Sequence, residues 1–171
     1  MERLEKETPG AFIECGIQEH HTATMAGRMS VEGVVPFFST FGVFAMAEAY
    51  NQQRLNDINQ ASIKIACTHC GIDVGEDGQT HHSVDFLALA HGPYDLKVFV
   101  PADPNQTDRI TRYAAAHAGN VLIPMGRSKQ PTILDEHGQP FFGGDYRFEP
   151  GQADILRSGS DITVVTMGDL A

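Results

Sequence analysis

Short apolar runs alternate with longer stretches of mixed polarity from residue 11 to about residue 126. The runs AFIEC (11–15), VVPFF (34–38), SIKIACT (62–68), LKVFVP (96–101) and VLIPMG (121–126) read as strands. Pro36 removes one ladder donor from the second, and Ser39 and Thr40 read as the turn that follows it. Residues 17–32 carry Ile17, Ala23, Met25, Ala26 and Met29 at approximate helical spacing, and Gly33 stops that helix. Residues 41–57 read as a helix, apolar early and polar late. Residues 84–91 read as a short helix with Ser83 as N-cap. Asp103 caps the next helix, Pro104 takes its first position, and Gly119 ends it.

This alternation defines βαβ units. The expected fold class is α/β: a doubly wound, mainly parallel sheet with helices on both faces. Ligands of such sheets bind at the carboxyl ends of the strands, so the loops after Cys15, Phe38, Thr68, Val100 and Met125 matter most. Three of them carry reactive side chains: Glu19, the His69–His82 loop, and Arg127. Beyond Arg127 the pattern changes. Residues 141–160 are turn-rich and read as a linker. Residues 161–171 start a fresh strand, either the first of a truncated second domain or a completing strand of the existing sheet.

The length of 171 residues suits one domain with a real core. A net charge of −10 argues against a nucleic-acid or anionic-membrane surface, since either needs a basic face. It leaves room for an anionic small ligand held by a local Arg or His cluster. The segment MERLEKETPG is charged and has no apolar core, unlike a secretory signal. No apolar run approaches the roughly 20 residues of a membrane-spanning helix. The count of 3 cysteines fits a reducing cytoplasm better than a disulfide framework, so the expected location is cytoplasmic.

The richest stretch is CTHCGIDVGEDGQTHHS, residues 67–83. Cys67 and Cys70 with His81 and His82 give two pairs of zinc-type ligands. However, Cys67 belongs to a strand, and adjacent histidines on one backbone point apart. A redox dithiol of the thioredoxin kind opens a helix, whose N-terminus lowers the thiol pKa; here the pair closes a strand and runs into glycines. A buried core thiol is the plain reading of Cys67. The third reading makes the loop a pocket wall. Gly71, Gly75 and Gly78 allow close backbone approach, while Asp77 and the histidines can bind sugar hydroxyls and move protons near neutral pH.

STF (39–41) followed by Phe44, and then THCGIDVGEDGQTHH (68–82), resembles the pyrimidine-binding domain of the transketolase family. That family typically shows T-H-D-S-I-G-x-G-E-D-G-P-T-H-Q at this place. GIQEHH (16–21) is similar to the family's G-x-x-E segment, and MGRSKQP (125–131) to its Arg-containing segment. The likeness runs from about Phe12 to Arg127 in the correct order. It continues weakly through 148–168, like the passage into the family's C-terminal domain.

The resemblance implies a thiamine-diphosphate pyrimidine-binding fold, truncated at both ends. Residues 1–140 would form the domain without its first βα unit, 141–160 a linker, and 161–171 the first strand of a C-terminal domain. Glu19 would hydrogen-bond the aminopyrimidine of thiamine diphosphate, favouring the imino tautomer whose exocyclic nitrogen takes the proton from the thiazolium carbon. As a residue alone, Glu19 reads first as a first-turn acid complementing a helix dipole. Phe41 and Phe44 would pack on the ring; on their own they read as core aromatics at helical spacing. Ala47 stands where a third aromatic is common. His69 and His81 would contact sugar hydroxyls and assist proton transfer, and Asp77 would bind a hydroxyl beside the reacting carbonyl. Arg127 would bind the sugar phosphate with its planar fork. No metal ligand is assigned.

Cys70, Gln79 and His82 depart from the family's Asp, Pro and Gln, and on the resemblance all three would sit beside the substrate channel. The family's diphosphate and Mg²⁺ half carries a G-D-G…N motif in a separate domain; here Gly144-Asp145 is followed by Tyr146 with no matching Asn. Alone, the chain is expected to bind neither Mg²⁺ nor coenzyme usefully. The function implied is the pyrimidine side of a dimeric or otherwise oligomeric transketolase of the pentose phosphate pathway. It would transfer two-carbon ketol units between phosphosugars with a diphosphate-binding domain or subunit. The alternatives are a 1-deoxyxylulose-5-phosphate synthase-like or 2-oxo acid dehydrogenase β-like enzyme, or a non-catalytic scaffold fragment.

Overall fold

A computed structural model describes residues 2–168. After α1 (Glu2–Glu7) come α2 (Glu19–Val31), β1 (Phe37–Phe41), a π-helical turn (Val43–Glu48) and α3 (Tyr50–Ile58). Then follow β2 (Lys64–Thr68), α4 (Phe86–Ala90), β3 (Lys97–Val98), α5 (Pro104–Ala116) and β4 (Val121–Pro124). The strands form one sheet in the order β1-β2-β4-β3, every pair parallel. Phe41 lies opposite Thr68, and Cys67 lies between Thr40 and Pro124.

Side-chain alternation on the strands sends residues to two cores. Ile63, Ile65, Cys67 and Leu122 pack on one face with Ala23 and Ala26 of α2, Ala45 and Met46 of the π turn, Ala49 just after it, and Phe86 of α4. Val121 and Ile123 pack on the other face with Ile110 and Ala114 of α5. Helices thus cover both faces, and the expected α/β class holds. α2 sits close over α3: a Cβ on Gly27 would fall 2.0 Å from Asn56 Oδ1. Asn56 Nδ2 donates to Ala23 O at 3.0 Å across that crossing. The crossing fixes where α2 presents its first residue, Glu19.

Several boundaries differ from expectation. Residues 12–16 form no strand, because no neighbouring strand pairs with them among the described residues, and Ile13 is exposed. The strand expected at 34–38 instead runs Phe37–Phe41, and Ser39 and Thr40 are ladder residues rather than a turn. Pro36 explains the shift: it cannot donate, so its carbonyl accepts from Lys64 N and the ladder begins after it. The single helix expected over 41–57 is split by the π turn, where Ala49 N donates to Phe44 O. Ser83 does not cap α4. Asp85 stands at that position, and the buried Ser83 Oγ has no hydrogen-bond partner among the described residues. Asp103 does cap α5, accepting from Gln106 N at 2.7 Å, with Pro104 first in the helix.

Residues 141–160 contain no helix or strand, yet they are anchored. Phe142 is buried, and Phe148 packs edge-on to Phe99 at 5.0 Å. Tyr146 Oη donates to Asp154 Oδ2 at 2.9 Å and accepts from Gln106 Nε2. The strand expected from 161 does not form over 161–168, where Ile162, Val164 and Val165 are exposed; 169–171 lie outside the described residues. Burial pushes the Tyr146 phenol up to about 12, with Asp154 adding and Gln106 opposing. In the unfolded chain it titrates near 10. The folded state therefore holds a proton that the unfolded state releases between these values. This stability is complete below pH 10 and is lost as pH rises through about 12. Denaturant unfolding on both sides of that window should show Tyr146→Phe losing less stability than wild type.

Candidate active site at the carboxyl ends of the strands

Glu19 opens α2, and its Oε1 accepts from Thr40 Oγ1 at 3.3 Å, joining the helix to the end of β1. The next residue, Phe41, ends β1 opposite Thr68. Phe44 follows on the π turn, a local widening often found where a side chain must be re-aimed toward a site. The Phe41 and Phe44 rings are nearly parallel, 5.9 Å between centroids and 19° between planes.

The loop after β2 folds back over these rings. His69 has φ +61, a left-handed backbone that non-glycine residues rarely take. Its ring stacks on Phe41 at 3.7 Å, and its Nδ1 meets Thr68 Oγ1 at 2.9 Å. His81 stands edge-on to both Phe41 and Phe44, at 5.8 and 5.5 Å. His69 Nε2 lies 3.4 Å from Asp77 Oδ2. Arg127, arriving from β4, brings Nε to 2.6 Å from the same Asp77 oxygen and donates to Glu76 Oε1 at 2.7 Å. Six of the seven residues singled out in the sequence, Phe41, Phe44, His69, Asp77, His81 and Arg127, thus join one cluster by side-chain contact, and Glu19 reaches the end of β1 through Thr40, the residue before Phe41.

Thr40, Asp73 and Glu76 were not singled out. Asp73 accepts from Arg127 N and Ser128 N at 3.1 and 2.8 Å, pinning the loop after β4. Burial pushes its carboxyl up, but those two N–H groups prevail and hold it below its usual value. Its signal was present: an Asp beside glycines in a loop commonly accepts from backbone N–H groups. Asp77, then Glu76, raise the Arg127 guanidinium further above its ordinary range. Cys67 and Cys70 point into the core, Sγ to Sγ 3.7 Å, and His82 Nε2 is buried without a partner among the described residues. Among the described residues, no group of three or more His, Cys, Asp or Glu is arranged to hold a metal ion.

The geometry suits a planar heteroaromatic ring: near-parallel aromatic rings stand at the end of β1 and on the π turn, and a carboxylate is held to the end of β1 through Thr40. The profile of the transketolase pyrimidine-binding domain matches residues 1–131, and the chain belongs to that family. Membership implies dependence on thiamine diphosphate. A putative transketolase C-terminal section from Methanocaldococcus jannaschii is 30% identical over 96% of this chain and 50% of its own length. One of the subunits of an apulose-4-phosphate transketolase from Actinobacillus succinogenes is 29% identical over 95% and 50%. Human transketolase is 30% identical over 98% of this chain and 26% of its own length. The chain therefore spans half the length of the first two curated relatives. Among solved structures, a split-gene transketolase described as an inactive β4 tetramer superposes with a TM-score of 0.78 at 36% identity, covering 92% of this chain and 48% of that one. Transketolase from Leishmania mexicana gives 0.63 at 27% identity, covering 67% and 17%.

Proposed function

We propose that this chain supplies the pyrimidine side of a thiamine-diphosphate-dependent transketolase site, completed by a diphosphate-binding domain or subunit. The observation that carries this reading is the cluster itself. Residues from α2, β1, the π turn, the 69–81 loop and the β4 loop converge at the carboxyl end of the sheet. Held there, thiamine diphosphate would supply a carbon nucleophile for cleavage of the ketose C–C bond. Glu19 would hold a proton at the ring nitrogen, and Phe41 and Phe44 would pack the ring and exclude water. His69 and His81 would move protons at the sugar hydroxyls, and Asp77 would hold the hydroxyl beside the reacting carbonyl. Arg127 would take the substrate phosphate in exchange for Glu76, an exposed partner screened by solvent.

The substrates on this reading are phosphosugars, and the reaction moves a two-carbon ketol unit between them, as in the pentose phosphate pathway. Mg²⁺ would be held by the diphosphate-binding partner. The working form would be a homo- or hetero-oligomer, at least a dimer, in the cytoplasm. Residues 1–140 would be the pyrimidine-binding domain, 141–160 the linker, and 161–171 the start of a C-terminal domain. Two names support the need for a partner: the Actinobacillus relative is named as one part of a multi-chain enzyme, and the solved split-gene chain is described as an inactive β4 tetramer.

The test is reconstitution with a diphosphate-binding protein recovered from the native extract, using xylulose 5-phosphate as donor. Transfer should appear in the mixture and in neither part alone. Arg127→Ala should raise KM for the phosphosugar about 10- to 100-fold, the value of a lost charged hydrogen bond. Transfer by the isolated chain, or none from the mixture, overturns the reading.

A further inference from the structure

Cys67 and Cys70 have no role in the chemistry above, yet they are built into its floor. Cys67 is 0% exposed and held in β2 by ladders on both sides, opposite Thr40 and Pro124. Cys70 is 6% exposed and lies on the loop, its N donating to Met125 O at 3.0 Å. Their sulfurs already touch through a hydrogen bond at 3.7 Å. Between them in the chain is His69, with its left-handed backbone and its ring on Phe41. The fully buried Ser83 hydroxyl has no partner among the described residues. It flanks the same small space as Cys70: a Cβ at Gly42 would meet Cys70 Sγ at 2.5 Å and Ser83 Oγ at 3.1 Å.

We propose that Cys67 and Cys70 are a peroxide-oxidisable dithiol whose closure to a disulfide pulls His69 off Phe41. Cys70, the more exposed thiol, loses its proton and attacks one oxygen of hydrogen peroxide. The O–O bond breaks, the other oxygen leaves as water after taking a proton, and Cys70 becomes a sulfenic acid. The Cys67 sulfur then attacks Cys70 Sγ; the S–O bond breaks and the oxygen leaves as a second water with the Cys67 proton. Two thiols are oxidised to one disulfide, and one peroxide is reduced to two waters. The hydrogen bond to Cys70, then burial, hold the Cys67 thiol well above its ordinary value, so Cys67 keeps its proton while Cys70 meets the peroxide.

Movement follows from geometry. A disulfide needs about 2.05 Å between sulfurs, so these must approach by roughly 1.7 Å. β2 is paired on both sides, so the loop carrying Cys70 gives way, and His69 moves with it. That such movement would impair phosphosugar binding rests on the proposed function; the oxidation and the displacement do not.

The experiment treats the full chain with hydrogen peroxide, alkylates it under denaturing conditions and maps the peptides. The expected result is complete loss of alkylation at Cys67 and Cys70, a disulfide-linked peptide and reversal by dithiothreitol, with the half-exposed Cys15 outside the bridge. In parallel, the ring-proton resonances of His69, assigned with His69→Gln, should shift on oxidation. They should stay in place in oxidised Cys70→Ala. Cys67 and Cys70 both alkylated after peroxide, or a disulfide that leaves the His69 resonances unmoved, overturns the proposal. Neither readout uses thiamine diphosphate or turnover, so failure of the transketolase reading leaves this test intact.

Discussion

Glu19→Gln should lower two-carbon transfer by the reconstituted complex by about 10²- to 10⁴-fold, the usual weight of a lost proton-transfer group. The amide keeps the size and one acceptor oxygen, so the bond from Thr40 Oγ1 can persist. What it cannot do is take and hold a proton. The competing account of Glu19, an acid that complements the dipole at the start of α2, makes the opposite prediction. It requires a stability loss of about 0.3–1 kcal/mol and no change in turnover. Measuring kcat and denaturant unfolding on the same protein separates the two. A stable variant with a collapsed kcat supports the proton-holding role. A slightly less stable variant with unchanged kcat leaves Glu19 as a helix-terminus residue and removes the core of the proposed mechanism. Glu19→Asp is the useful third point. It keeps the charge at the helix terminus but withdraws the carboxylate by one methylene, so it should rescue stability and not turnover.

Alternating apolar and mixed stretches were enough for the α/β class and for placing β2, which runs Lys64–Thr68 within the expected 62–68, because every residue of SIKIACT is buried or half-buried. Legibility failed where tertiary pairing decides. AFIEC has the composition of a strand but finds no ladder partner among the described residues. VVPFF hides a boundary that only the Pro36 carbonyl and its bond from Lys64 reveal. The π turn has no composition of its own, yet it sets the near-parallel Phe41–Phe44 pair. At the site, the motif residues were visible because glycines, histidines and acids crowd one loop. Their supports were not, since Thr40 looks like any strand threonine until the register and the Glu19 contact are known. Ser83 illustrates the reverse error: a good N-cap residue by type whose backbone is committed to the loop, donating to His69 O and accepting from Gly71 N.

Lys64→Ala should cost about 3 kcal/mol or more of folding stability, the largest loss expected from one substitution outside the site. Lys64 is 0% exposed, unusual for a lysine. Its Nζ donates to Ser62 Oγ, His117 O and Gly119 O at 3.0, 2.8 and 2.7 Å, satisfying carbonyls just past the end of α5. Alanine removes the packed stem and all three bonds together. Lys64→Met restores the stem alone and should recover part of the loss, leaving about 1–3 kcal/mol for the stranded carbonyls. The pH dependence carries a definite sign. Burial, then Lys97, lowers the Lys64 pKa below 10.5, so the unfolded chain binds more protons as pH approaches that value. The contribution of this lysine to stability therefore rises as pH climbs toward 10.5, and Lys64→Met lacks that rise. Catalysis should be unaffected well below the unfolding temperature. Lys64 stands at the opposite end of β2 from Thr68, about 13 Å away along the strand. Urea unfolding of wild type, Lys64→Met and Lys64→Ala at neutral and alkaline pH decides the matter. If Lys64→Met equals wild type at neutral pH, the hydrogen bonds only offset the cost of burying the charge, and the lysine owes its value to its stem.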